Sequence, residues 1–447
     1  MTAFRIGSGA GYSGDRIDPA ADLAERGRLD ALVFECLAER TIALAQLRRA
    51  QDPTQGFDPL LAERMHAVLH ACVRQGTRII TNMGAANPQA AGQAVLDAAR
   101  ELGLRRLRVA VITGDDVLPW MLDNDVPLLE SSDSARSLEG RLISANAYLG
   151  ADALLPGLQA GADVVVCGRA ADPALFLAPL MHRFGWAPDD WPLLGKGIAV
   201  GHLLECAAQV TGGYLADPGR VDVPALEEVG FPIAEVQADG SAVVTKLPGT
   251  GGRVDRLSCT AQLLYELEDP QRYLQPDVVA DFSGVRFTEL GEDRVAVQGA
   301  SGTARPAQLK ATLGYRDGFI GEGQISYAGP GARARGELAL QVLRHRLRVR
   351  GLEALEHRAE LVGVDAMHGP TLGSGHEPYE VRVRLAVRAS SRRQAELVGQ
   401  EVEALYLNGP GGGGGVTQSV REVVAAASAL IPREAVQPHC RILELQP

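Results

Sequence analysis

Short apolar runs recur through the first half of the chain, each closing in glycine or polar residues and most leading into a segment of helical spacing. Residues 4–7 predict a strand, and Asp18–Arg26 predicts a helix with Asp18 as N-cap and Pro19 in its first turn. Ala31–Phe34 is a continuous apolar strand ending in Glu35, and helices are expected over 37–49 and from beyond Pro59 to 75. Arg78–Thr81 is the next strand, ending in Asn82, followed by a helix over 88–102. Leu107–Thr113 runs into Gly114-Asp115-Asp116, and the strand 163–167 runs into Gly168-Arg169-Ala170-Ala171-Asp172-Pro173 and another helix.

Continuous apolar strands separated by helices predict an α/β fold, with a parallel sheet covered on both faces in a Rossmann-like manner. Ligands of such sheets sit beyond the carboxyl ends of the strands. Glu35, Asn82, Asp115 and Arg169 are therefore expected near one crevice.

After about residue 225 the pattern changes. Residues 232–237 and 241–246 flank Ala238-Asp239-Gly240 as a hairpin. Strands over 295–298 and 309–313, a helix over 332–348 and the alternating strand Glu380–Ala389 follow. A helix over 392–406 leads to Asn408-Gly409-Pro410 and the glycines 411–415, with a last helix expected over 417–430. The expected division is an α/β domain over 1–225 and an α+β domain over 226–447.

Composition narrows the function classes. The 447 residues are 46% hydrophobic and 22% charged, with a formal net charge of -11. That is a globular composition, and the acidic balance, with no basic block, argues against nucleic-acid binding. No apolar run reaches the ~18 residues of a membrane span, and the N-terminus has no apolar signal core. A cytoplasmic protein with no membrane partner is expected. The six cysteines include no Cys-x-x-Cys pair, so neither a zinc site nor a disulfide framework is expected.

Gly9, Gly11 and Gly14 have the Gly-x-Gly-x-x-Gly spacing of a dinucleotide loop, with Glu35 as the acid after the second strand. Asp15-Arg16 and the late helix start oppose that reading and favour a turn that presents Asp15 and Arg16 to substrate. The loop with Asn408, Gly409, Gly411, Gly412 and Gly413 is expected to bind an anion at the N-terminus of the last helix, with Thr417 as cap. Over 201–213, His202, Glu205, Cys206 and Gln209 share one helical face. Glu205 is the candidate general acid or base, with Asp15 second. The alternative for this stripe is a satisfied buried network, which is the stronger reading for Cys206. Arg169 could grip a carboxylate or simply pair with Asp172. Asn82 could orient a carbonyl, and Lys246 could bind an anion or be solvated.

Taken together, these segments resemble the acyclic terpene utilisation family. The resemblance rests on Gly14-Asp15-Arg16, Asn82-Met83-Gly84 with Asn87-Pro88, Gly168 to Asp172 with Phe184-Gly185-Trp186, and Gly201 to Cys206 with Thr211-Gly212-Gly213. It continues through Lys246 with Gly251-Gly252, Gln262 with Tyr265-Glu266, Pro276 to Asp281, Tyr327 with Gly329-Pro330, and Asn408-Gly409-Pro410. Glu35-Cys36, Met83 and Ala85-Ala86 depart from the family pattern. The resemblance implies a catabolic enzyme acting on a branched or terpene-derived organic acid or its CoA thioester, as a C–C lyase or hydratase. No cofactor is expected beyond CoA as part of the substrate, and a homo-oligomer is expected. Two alternatives stay open: a non-catalytic ligand-binding or scaffold partner of acyl-CoA enzymes, and an NAD-linked enzyme.

Overall fold

The computed structural model describes residues 3–369, 371 and 377–445. The chain divides into two compact units, Met1–Gly314 with Ala426–Pro447, and Tyr315–Ala425. It runs β1 (Phe4–Ala10), α1 (Asp18–Arg26), β2 (Ala31–Phe34), α2 (Glu39–Gln51), α3 (Leu61–Gln75), β3 (Arg78–Thr81), α4 (Pro88–Glu101), β4 (Leu107–Thr113), α5 (Leu118–Asp123) and β5 (Leu142–Ala147). Next come α6 (Ala151–Gln159), β6 (Val164–Cys167), α7 (Ala174–Phe184), α8 (Trp191–Leu204), β7 (Pro232–Val236), β8 (Ala242–Lys246), α9 (Arg256–Leu264), β9 (Tyr273–Leu274), β10 (Val279–Asp281), β11 (Arg286–Gly291), β12 (Arg294–Gln298) and β13 (Ser301–Thr303). The remainder is β14 (Gln308–Ala328), α10 (Ala332–Val349), β15 (His357–Val362), β16 (Glu380–Ala389), α11 (Arg392–Glu403), α12 (Leu405–Asn408), β17 (Gly414–Pro432) and β18 (His439–Leu445).

The first unit is a mixed α/β structure on a large mixed sheet, in the order β11-β12-β8-β7-β1-β2-β3-β6-β4-β18. Its centre, β1-β2-β3-β6-β4, is parallel and built from the continuous apolar runs. Val33, Ile80 and Val165 there are wholly buried. Helices cover both faces. Gly92 of α4 lies against Val111 and Gly157 of α6 against Ala110, and successive residues of one strand point to opposite faces. Antiparallel strands extend both edges: β7 pairs with β1, and β18 pairs with β4. The chain therefore does not divide near 225, because the hairpin β7–β8 continues the first sheet instead of founding a second one.

In the second unit β15-β16-β14-β17 lie side by side, and α10 and α11 pack on β16 through Leu340, Leu343, Val398 and Val402. The helix expected over 417–430 is absent, since that segment belongs to β17. Its three valines favour a strand, and pairing with β14 outweighs the helical preference of its alanines. Among the described residues no helix is long and apolar enough to cross a membrane.

Candidate functional site

Strand ends far apart in sequence meet in the first unit. The Glu35 carboxylate follows β2 and the Asn82 amide follows β3, its neighbour in the sheet. Asn82 Nδ2 donates to Glu35 Oε1 at 2.9 Å, and Asn82 Oδ1 accepts the Cys36 N–H at 2.8 Å. Leu37 N–H donates to Glu35 Oε1 at 2.8 Å. Burial raises the Glu35 carboxyl above its usual range, opposed by the charge of Arg169. Asn82 is thus engaged in the loop framework.

Arg169 follows β6. Its N–H donates to Asp115 Oδ2 at 2.8 Å, and Asn146 Nδ2 donates to the same oxygen at 2.9 Å. Gly168 permits this approach, because a Cβ there would lie 2.5 Å from Asp115 Oδ1. Burial pushes the Asp115 carboxyl up to about 6. The Arg169 guanidinium lies 4.1 Å from the centre of the Tyr148 ring, and its Nη2 is 3.1 Å from Asp172 Oδ1. Its Nε and Nη1 are buried and have no hydrogen-bond partner among the described residues. Desolvation holds Asp172 well above the carboxylate range, with Arg169 opposing and Glu35 and Glu205 reinforcing. Tyr148 donates to Glu39 Oε1 at 2.9 Å, and Lys310 Nζ donates to the same oxygen at 2.6 Å.

His202 and Glu205 stand at the end of α8. Gly201 brings the helix onto the loop after β6, since a Cβ there would be 2.7 Å from Pro173 Cα. His202 Nδ1 is 2.8 Å from Glu205 Oε1, and Nε2 is 3.1 Å from the Leu263 carbonyl oxygen. A carbonyl oxygen only accepts, so Nε2 carries a proton, and a second proton is shared between Nδ1 and the carboxylate. Burial lowers the proton affinity of His202, but its bond to Glu205 prevails and the net shift is upward. Glu205 Oε2 is buried without a partner among the described residues. Tyr273 and Phe282 enclose the imidazole at 5.1 and 5.7 Å between ring centres.

The expected polar stripe is shorter than a helical face, because α8 ends at Leu204. Glu205 is its C-cap, and Cys206 begins a separate turn over Ala207–Gln209, where Ala207 takes φ 43°. Burial and the neighbouring Glu205 push the Cys206 thiol up, which opposes a thiolate nucleophile.

Other expected site residues are engaged elsewhere. The two oxygens of Asp15 accept the N–H groups of Gly11 and Arg16, each at 2.9 Å, so the carboxylate closes its own turn. Burial raises its pKa. Arg16 is exposed and donates to the Glu227 carbonyl at 2.6 Å. The first residue of α1 is Asp18, with Ile17 rather than Asp18 as the cap. Lys246 is buried, 2.9 Å from Asp293 Oδ2, and donates to the Thr250 carbonyl at 2.8 Å. Asn408, Gly409, Gly411, Gly412 and Gly413 belong to the second unit and lead into β17, so the loop has no helix after it and Thr417 is not a cap.

Sequence reasoning missed Tyr148, Gln262, Tyr273 and Arg64. Gln262 Nε2 donates to the His202 carbonyl at 2.9 Å. Arg64, on α3 and fully buried, donates to the carbonyls of Ser13 at 2.8 Å and Asp15 at 3.1 Å. Gln262 lies in a segment that carries the family resemblance but with no role attached to it, and the other three lie in no recognisable motif. The one available signal is charge within an amphipathic helix, where Arg64 occupies an inward position.

Among the described residues no group of three His, Cys, Asp or Glu side chains is placed to hold a metal ion. Two surface cavities lie elsewhere, one beside Gly399 and Gln418 and one beside Lys196 and Asp239. No curated protein and no solved structure matches the chain. The model of the acyclic terpene utilisation family protein AtuA matches residues 4–442, nearly the whole length. The chain belongs to the acyclic terpene utilisation family.

Proposed function

We propose that the protein is a cytoplasmic catabolic enzyme acting on a branched or acyclic-terpene-derived organic acid or its CoA thioester, as a hydratase or C–C lyase. The observation that carries this reading is the presence of two incomplete groups beside Asp172, one after strand β6 and one at the end of helix α8. Arg169 holds buried donors at Nε and Nη1 without partners, and Glu205 holds a buried, unpartnered Oε2 beside the proton it shares with His202. A substrate carboxylate or thioester carbonyl satisfies the first. A proton exchanged at carbon or at a hydroxyl is served by the second.

In this reading Arg169, fixed by Asp172 and Tyr148, orients the substrate. Glu205 exchanges the proton, and His202 replenishes it while its Nε2 stays bonded to Leu263. Asn82 and Glu35 shape the floor, and Asp15 with Arg16 forms the adjoining turn rather than carrying protons. CoA enters as part of the substrate.

The test is incubation with a panel of branched acyl-CoA thioesters and free acids, with products identified by mass spectrometry. Glu205→Gln is expected to lower turnover by about 10²-fold or more while substrate still binds. Arg169→Gln is expected chiefly to weaken binding of the acid. Unchanged turnover in Glu205→Gln would remove the dyad from the reaction. Binding without turnover across the panel would make the protein a ligand-binding partner instead of an enzyme.

A further inference from the structure

The second unit contains a polar cluster that the His202–Glu205 reading does not use. Tyr327, at the end of β14, is wholly buried, yet among the described residues its hydroxyl has no hydrogen-bond partner. That oxygen faces the glycine loop, since a Cβ on Gly413 would stand 3.2 Å from it.

Arg335 faces the same loop. Its Nη1 lies 3.2 Å from the place of a Cβ on Gly412 and donates to the Gly411 carbonyl at 3.5 Å. Its Nη2 donates to the carbonyls of Ala328 at 2.6 Å and Pro330 at 3.3 Å, and its Nε is buried without a partner. Nearby, Arg382 donates to Gln324, to Ser326 Oγ at 3.0 Å and to Thr417 Oγ1 at 2.9 Å. Among the described residues, both guanidinium charges are thus bonded only to neutral acceptors.

The start of the helix that carries Arg335 adds to this positive balance. α10 is 18 residues long, its N-cap is Gly331 with no side-chain cap, and its first turn has no acid. Arg335 sits there instead, where the helix dipole disfavours cations, while its neighbour Arg333 pairs with Glu337 at 2.9 Å. A bound anion would reverse that penalty.

We propose that the second unit binds a phosphate-class oxyanion between Arg335 and Tyr327, against glycines 411–413 at the start of α10. A phosphate has four oxygens to offer to a guanidinium Nε, a phenolic hydroxyl and helix N–H groups, where a carboxylate has two. The carbonyls of Ala328 and Pro330 hold the guanidinium in place. Side chains at 412 and 413 would crowd Arg335 and the Tyr327 hydroxyl, which gives these two glycines a role that does not depend on a following helix.

The test titrates the full chain with inorganic phosphate and, separately, with adenosine 3′,5′-bisphosphate, following heat of binding and Tm in the wild type, Tyr327→Phe and Arg335→Gln. Both variants are expected to raise Kd about tenfold or more, as loss of a bond to a charged group does. Tyr327→Phe removes only an unpartnered hydroxyl, so without phosphate its Tm is expected at or above the wild-type value. Equal binding of both probes means that free phosphate suffices, while tighter binding of the bisphosphate identifies a phosphate carried on a nucleotide. No binding of either probe, or a Kd unchanged in both variants, overturns the proposal. None of these residues belongs to the first unit, so the outcome is read independently of turnover at Glu205.

Discussion

Gly11 and Cys206 are so close that a Cβ on Gly11 would lie 2.6 Å from the Cys206 carbonyl carbon. The opening glycine loop is therefore pressed against the turn that follows Glu205. Gly11→Ala is expected to destabilise the protein by about 1–3 kcal/mol through overpacking against backbone. It should also displace Glu205, so that turnover falls more than stability requires. Denaturant unfolding beside a turnover assay checks both. A variant with wild-type stability and activity would show that the loop and the turn yield without cost.

The bond from His202 to Glu205 makes stability depend on pH. The folded-state pKa of His202 is raised, so its contribution is fully present below the unfolded value of about 6.5 and is lost as pH rises through the folded value. Glu205→Gln removes the ionic partner, and the His202 titration should move down toward or below the ordinary range. Histidine NMR titration of both proteins reads this directly, and an unmoved titration would refute the assigned partner.

Asp277 caps α6 from more than a hundred residues away, accepting the Ala151 N–H with Oδ1 at 2.9 Å and Oδ2 at 3.0 Å. Burial, with Asp152 beside it, raises the Asp277 carboxyl to about 7. The folded state holds this proton more tightly than the unfolded state. Stability from this group is therefore present below the unfolded value of about 3.8 and is lost as pH rises through about 7. Asp277→Asn keeps an acceptor and abolishes the titration. Its Tm is expected to vary less than the wild-type Tm between these pH values, and parallel curves would contradict the assignment.

Arg64 bonds the carbonyls of Ser13 and Asp15 from a fully buried position and lies 3.4 Å from Asp58 Oδ1. Arg64→Met fills much of the volume but removes the guanidinium from those carbonyls and leaves Asp58 without its ion-pair partner, with the Leu60 N–H still donating to Asp58 Oδ1. The expected loss is about 3–5 kcal/mol, the scale for breaking a buried pair on one side. A shift in the denaturant midpoint at unchanged slope measures it. A loss below 1 kcal/mol would mean that water replaces the guanidinium.

Much of the local structure is legible in the chain. Asp18–Arg26, Ala31–Phe34, Arg78–Thr81, Leu107–Thr113 and Glu380–Ala389 have the bounds that their apolar spacing and turn residues predict. Their polar strand ends identify Glu35, Asn82, Asp115 and Arg169 as neighbours, because a parallel sheet brings its carboxyl ends to one side. The i,i+3 spacing likewise brings His202 to Glu205.

The remainder depends on partners that no local window contains. Residues 417–430 contain enough alanine to suggest a helix, but β14 offers their backbone a ladder and they form a strand. The hairpin after 225 carries no mark that assigns it to β1, and Arg64 looks like any helical arginine until the 12–15 turn folds onto it. By itself the sequence determined which segments are apolar, where they turn and which spacings place side chains together, because those preferences act within a few residues. Only the tertiary structure decided strand order, which cations and carboxylates are left without partners, and which groups lose water, because these depend on burial by residues far away in the chain.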